Sequence, residues 1–421
     1  FAGIRIPTTL AAALVGVAFL LVLYRMSPTG ASFFCFGGLL IVGLSALLNA
    51  SPVGNSVVYV VVTGVPMLVL GVAVRMKVES IDLPLGILSV VLLSVLVAAG
   101  QLVALDGVDR AVGLLVNQRA ANTVHFLSLL VGLALTIFVR QGAPVPRALG
   151  WGLLVCSTAV AWLGDAKTAL AIAVLVASTL ALTGLFSVVT SKESELRSRE
   201  ARQTLSAIGS LLVVIPATAA AFMGVGTESA APRETTSIAI TRVDEALKTI
   251  AETNSSSDSE VENSRPSRIQ AKLTTLLGAG PGTGDSLTAL IITGELAPRA
   301  QSSGVDWMFK SNDGLSQRSA ANTGPGSGSF VAPNRTLTGI RHEVGVVGLI
   351  YVAVCLSLML YPLVKISVPL FISVAVPFMV LAITNSYLEY VEVSLAFAAY
   401  LLTARWLLTS GSFVAQVNVL N

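Results

Sequence analysis

The sequence predicts an all-α, polytopic membrane protein, and three observations predict it. Hydrophobic residues make up 54% of the chain and charged residues only 12%, with a mean hydropathy of +0.81, far more apolar than a soluble chain of this length. Apolar runs as long as a bilayer is thick recur along it. Lys and Arg gather in alternate short loops, the pattern that marks the cytoplasmic side.

Read with a window of about 19 residues, the apolar runs fall at 6–24, 31–49, 56–74, 83–105, 123–139, 149–164, 167–189, 205–223, 344–361, 366–385 and 391–408. They predict about eleven visible transmembrane helices. The first resembles a signal peptide in position only, because no small-residue cleavage site follows it and "VLYRMSPTG" leads straight into the next run. Since the chain opens on Phe1 rather than Met, residues are expected upstream, and a helix among them would make twelve. The three cysteines, Cys35, Cys156 and Cys355, lie inside apolar runs, which argues against disulfides and a thiolate metal site.

One set of alternate loops carries Arg25, Arg75, Lys77, Arg140, Arg147, Lys192, Arg197, Arg199, Arg202 and Lys365, whereas the other carries only Arg110, Arg119 and Lys167. The first set is therefore expected inside. This divides the chain into helices 1–8 over 1–223, an extracytoplasmic domain over 224–343, and helices 9–11 with a cytoplasmic tail over 344–421. The net charge of +3 is small and dispersed, so no nucleic-acid partner is expected.

The segment 224–343 is too long for a plain connection, and loops of that size usually carry function or are disordered. Within it, 235–252 places Ile240, Val243, Leu247 and Ile250 on one stripe of an amphipathic helix. The polar stretch 253–267 has no periodicity and reads as a mobile linker. From Arg268 a second amphipathic helix is expected, with Ile269, Leu273, Leu276 and Leu277 on one face, stopped by "GAGPGTG". Those glycines fit neither nucleotide-binding fingerprint, which ends in Gly-Lys-Ser/Thr or follows a strand. Two readings remain for Gly278, Gly280 and Gly282: a helix stop with a sharp turn, or a turn that lets the backbone approach a ligand closely.

Charges inside or beside apolar runs are the candidates for chemistry. "WLGDAKTALA" puts Asp165 and Lys167 between two spans. The pair reads either as a polar hairpin, with Lys167 snorkelling or bonded to Asp165, or as a shallow polar site. Arg341, His342 and Glu343 stand together just before the ninth run. Imidazole exchanges protons near neutral pH and suits general-base work, and the chain has only one other histidine, His125, which reads as structural. Glu343 also suits the first turn of a helix, where an acid complements the dipole. Arg110 and Arg119 lie on an amphipathic stretch and could extend a cationic lining, or form a solvated face. Arg299, Lys310, Arg318, Arg335 and, by stacking, Trp307 are candidate contacts for sugars.

The order of these features resembles the O-antigen ligase and O-antigen polymerase superfamily of bacterial membrane enzymes. The resemblance rests on the helix-start Arg268 leading to Gly278, Gly280, Pro281 and Gly282, on Glu343-Val-Gly345-Val-Val-Gly348 running into a span, on "LGDAKTALA", and on "TNSYLEY" at 384–390. Lys167 stands where the family carries an arginine. Such membership implies transfer of a glycan from a polyprenyl diphosphate carrier to an acceptor hydroxyl, with inversion, no metal and no cofactor. It also implies a location in the bacterial plasma membrane with the site facing outward, and contacts with other polysaccharide-assembly proteins. The leaving diphosphate needs fixed cations, which assigns Arg268, Arg341 and Lys167, with Asp165, Arg119, Gly280 and Gly282 as further binding residues. The acceptor hydroxyl needs a base, which assigns His342 and Glu343 beside Arg341.

Transport is the competing class, as a flippase of lipid-linked glycans or a secondary transporter. Such proteins carry internal repeats and mid-depth charges, and here no repeat is evident and the charges gather at one face. A scaffold without activity leaves that gathering unexplained.

Overall fold

The computed structural model describes residues 8–78, 81–104, 121–139, 145–164, 166–190, 194–223, 268–283, 286–310, 336–384 and 391–419. Among them no strand occurs, and nearly all of them are helical. The first eight helices are α1 (Thr8–Met26), α2 (Pro28–Leu48), α3 (Val53–Arg75), α4 (Asp82–Ala104), α5 (Ala121–Phe138), α6 (Arg147–Leu163), α7 (Lys167–Thr190) and α8 (Ser194–Met223). After them come α9 (Arg268–Leu277), α10 (Leu287–Ile291), a π-helical turn (Ile292–Leu296) and α11 (Ala297–Ser302). The chain closes with α12 (Thr336–Ile366), α13 (Val368–Thr384) and α14 (Val391–Val419).

Each of the eleven apolar runs coincides with one of these helices. Seven are long and apolar enough to cross a membrane, while the described apolar parts of α1, α5, α6 and α13 are shorter. The chain is thus an α-helical protein with the helices of a membrane protein. The amphipathic helix expected over 235–252 and the linker 253–267 lie outside the described residues.

The chain divides into two compact units. The first comprises 1–72, 239–359 and 379–391. Its core gathers Leu23, Val42, Tyr59, Met67, Leu68, Ile340, Val344 and Met359. Small residues let its helices approach: a side chain at Gly16 would meet Val65 at 2.5 Å, and one at Gly37 would meet the Tyr351 ring at 2.5 Å. The Tyr351 hydroxyl donates to the Phe34 carbonyl. Beside this core is an apolar cavity of about 320 Å³ lined by residues of α1, α2, α3 and α12, among them Leu20, Phe34, Tyr59, Val344 and Tyr351.

The second unit comprises 73–238, 360–378 and 392–421. Helix α5 is its hub, with Leu129, Val131, Leu133, Ala134 and Leu135 all buried, as expected of a helix that is apolar all round. Gly132 and Gly150 bring α5 and α6 together, since a Cβ on either would lie within 3.2 Å of the opposing backbone. Arg405 of α14 donates to the carbonyls of Ala73 and Val74 at the end of α3, so a cation sits at that helix C-terminus. Ser373 and Tyr400 hydrogen-bond at 2.9 Å, and Phe378 meets Phe397 edge-on with ring centroids 5.7 Å apart.

Candidate functional site

The expected ninth span begins earlier than hydropathy predicts, at Thr336, and it is not one helix. Gly345 takes φ 71° and ψ −170° inside it, a backbone conformation outside the helical region. In an unbroken helix the carbonyls of residues 342 and 343 serve the N–H groups four residues on. Here the His342 carbonyl accepts from the Ala279 N–H at 2.7 Å, and the Glu343 carbonyl accepts from the Gly280 N–H at 3.1 Å and from the Ser45 hydroxyl at 2.8 Å. A break in a membrane helix persists only where protein satisfies the freed groups. The glycine stretch after α9 does this.

That role explains its composition. Gly278, Gly280 and Gly282 all have positive φ, at 76°, 105° and 76°. A Cβ on Gly278 would lie 2.3 Å from the Glu343 carbonyl carbon, and one on Gly345 would lie 2.1 Å from the Leu276 carbonyl oxygen. Two backbones therefore meet with no side chain between them, which only glycine permits. The loop is a helix stop with close backbone approach, and the partner it approaches is the chain itself.

Polar residues at the ends of α2 and α3 complete the knot. Asn49 donates from Nδ2 to the carbonyls of Ser45 (2.8 Å) and Gly278 (3.1 Å). Asn55 donates to the carbonyls of Pro281 (3.3 Å) and Lys310 (3.2 Å), while its Oδ1 accepts from the Lys310 N–H at 3.2 Å. Gly280 packs on Ser51, whose hydroxyl is 2.2 Å from where its Cβ would be. The Thr283 hydroxyl donates to the Gly280 carbonyl at 2.5 Å.

Glu343 is wholly buried, and its Oε1 accepts from the Ser286 hydroxyl. Ser286 is at the same time the N-cap of α10, accepting from the Ala289 N–H at 3.1 Å. The carboxylate is thus tied to a helix start, where negative charge is favoured, but it is the start of α10 and not of its own helix. Arg341 and His342, the two residues before it, are exposed.

Of the residues singled out in the sequence, Gly280, Gly282, Arg341, His342, Glu343 and the helix start at Arg268 belong to the first unit. Lys167 opens α7 in the second unit and is half-buried. Asp165 and Arg119 lie outside the described residues, as do Arg110, Arg318, Arg335 and the 385–390 end of the penultimate run. His125 is buried, with its Nε2 3.1 Å from where a Gly164 Cβ would be, and its Nδ1 has no hydrogen-bond partner among the described residues. Sequence reasoning missed Ser45, Asn49, Ser51, Asn55 and Ser286. The only signal was the turn chemistry of "NASPVGNS" at 49–56 between two apolar runs. No family model matches the chain, and no curated protein matches it.

Proposed function

We propose that this protein transfers a polyprenyl-diphosphate-linked glycan to an acceptor hydroxyl at the outer face of a bacterial plasma membrane, as a polysaccharide or O-antigen polymerase or ligase. All eleven apolar helices cross the membrane in this reading, and the 268–310 segment lies on the outer side. One observation carries it. The apolar cavity and the polar knot meet at consecutive residues, Val344 lining the first and Glu343 anchoring the second.

A carrier of this class has a hydrocarbon chain that needs apolar room and a diphosphate that needs cations and hydrogen-bond donors. The cavity supplies the first, and Arg341 with Arg268 at the start of α9 supplies the second. Lys167 opens a helix in the second unit and stays a candidate cation on the family resemblance alone. His342 takes the proton of the acceptor hydroxyl. The buried Glu343 fixes the backbone that presents Arg341 and His342, and so acts as a positioning residue. The donor is a lipid-linked glycan, the acceptor a glycan or lipid hydroxyl, and the reaction takes place without a metal. Transport of a lipid-linked glycan is the second reading, favoured by the interrupted helix at Gly345, because transporters build binding sites from broken helices.

The test is complementation in the source bacterium: a deletion strain rescued with wild type, Arg341→Ala or His342→Ala at equal membrane abundance. Failure of Arg341→Ala, with short carrier-linked glycan accumulating where an externally added glycosidase can reach it, supports transfer. The His342→Ala result then separates a histidine base from catalysis led by arginine. A full glycan profile from both variants refutes the site. Accumulation shielded from the glycosidase supports transport instead.

A further inference from the structure

The segment after α11 has a feature that the transfer reaction does not use. Helix α11 stops at Gly304 (φ 70°), and Val305 folds back to the Ala300 carbonyl at 3.0 Å before a single 3₁₀ turn over Asp306–Met308. This turn is held against the first turn of α3. A Cβ on Gly54 would lie 2.3 Å from the Met308 carbonyl oxygen, and Asn55 holds both the N–H and the carbonyl of Lys310. Phe309 points inward, packed with Val58, Val62 and Ile292. Its neighbours point the other way: Trp307 is 71% exposed, and Val305 and Met308 are 37% exposed each.

The level at which this happens decides what covers those side chains. Helix α3 has 23 residues, a length of about 34 Å at 1.5 Å per residue, slightly more than a hydrocarbon core of about 30 Å. Its first turn therefore reaches the bilayer interface. Val53 (70% exposed) and Val57 (56% exposed) are exposed apolar residues in the first turns of α3 itself. The amphipathic indole ring suits that depth, which is why tryptophan gathers at membrane interfaces. Lys310 beside it is exposed, and a lysine at this depth runs its stem along apolar surface toward lipid phosphates.

We infer that residues 305–310 form an interfacial anchor that docks this segment onto the headgroup layer of the bilayer, with Trp307 at the glycerol–carbonyl level. The partner is lipid, not the sugar that the sequence suggests for Trp307. The inference needs α3 to span the membrane and is independent of the transfer reaction.

The test is fluorescence of a Trp151→Phe, Trp162→Phe, Trp406→Phe variant, whose one indole is Trp307, in vesicles of phosphatidylcholine and phosphatidylglycerol. Blue-shifted emission is expected, largely lost with lipids brominated near the headgroup, less affected by bromines near the chain end, and resistant to aqueous acrylamide. Emission at the aqueous position, quenched by acrylamide and untouched by brominated lipid, overturns the inference. Insensitivity to lipid together with a shift on adding a soluble polysaccharide overturns it in favour of a sugar platform. If the triple variant does not fold, the same quenching is read as the difference between wild type and Trp307→Phe.

Discussion

Replacing Gly345 by alanine tests the interrupted helix most directly. The glycine sits at φ 71° and ψ −170°, and holding a side-chain-bearing residue in such a conformation costs about 1–3 kcal/mol. Contact adds to this. The new Cβ would meet the Leu276 carbonyl oxygen at 2.1 Å, its carbon at 2.3 Å and the Leu277 nitrogen at 2.5 Å. All three are backbone atoms, so no rotamer change relieves the clash, and overpacking of this kind adds about 1–3 kcal/mol. The expected loss is about 2–6 kcal/mol, enough to separate the glycine loop from α12. The matched control is Gly43→Ala in α2, where a Cβ meets nothing within 4 Å. That change is expected to be neutral, or stabilising by up to about 1 kcal/mol. Both variants are measured by reversible SDS titration and by thermal unfolding in the same detergent. Equal stability of Gly345→Ala and Gly43→Ala would refute the account of the break.

Other perturbations probe the rest of the knot. Ser286→Ala removes both an N-cap and the donor to Glu343, and should lower stability by about 1–3 kcal/mol in the same titration. Glu343→Gln keeps the shape and an acceptor oxygen, so it should cost less than Glu343→Ala, and the reverse order would count against the Ser286 bond. Asn55→Leu releases Lys310 from both backbone contacts, which predicts faster tryptic cleavage after Lys310; an unchanged rate would show that the clamp does not hold the segment. Gly164→Ala should cost about 1 kcal/mol by crowding the His125 ring, and less in a His125→Ala background, so strict additivity would contradict the contact.

The membrane helices were readable because length and hydropathy are local properties. The run 167–189 became Lys167–Thr190 and 56–74 became Val53–Arg75. Helix α8 starts at Ser194 rather than 205 because "ELRSREARQ", though charged, is rich in good helix formers. Hydropathy is blind to such a stretch. It is equally blind to the first turns of α12 before residue 344, where Arg341, His342 and Glu343 end the apolar run two residues or more before the break at Gly345. The site was half legible. Glycine density announced a tight backbone approach at 278–282, but not to what. Ser45, Asn49 and Asn55 look like ordinary polar residues at the ends of spans, and their partners stand 226 to 298 residues away in the chain. No window short enough to show periodicity can show such a pairing.

That separation also sets an order of events during biosynthesis. Ser45 and Glu343 are 298 residues apart, so at roughly 5–20 residues per second about 15–60 s pass between the synthesis of one and the other. For most of that time the polar ends of α2 and α3 are without their distant partners, and Asn55 must be served by water or lipid headgroups until residues 281 and 310 are made. The interrupted helix arrives last and closes the set: its freed carbonyls bond to a loop already made and to a hydroxyl made long before. A ribosome that stops short of residue 343 therefore leaves behind spans that can insert and a knot that cannot form.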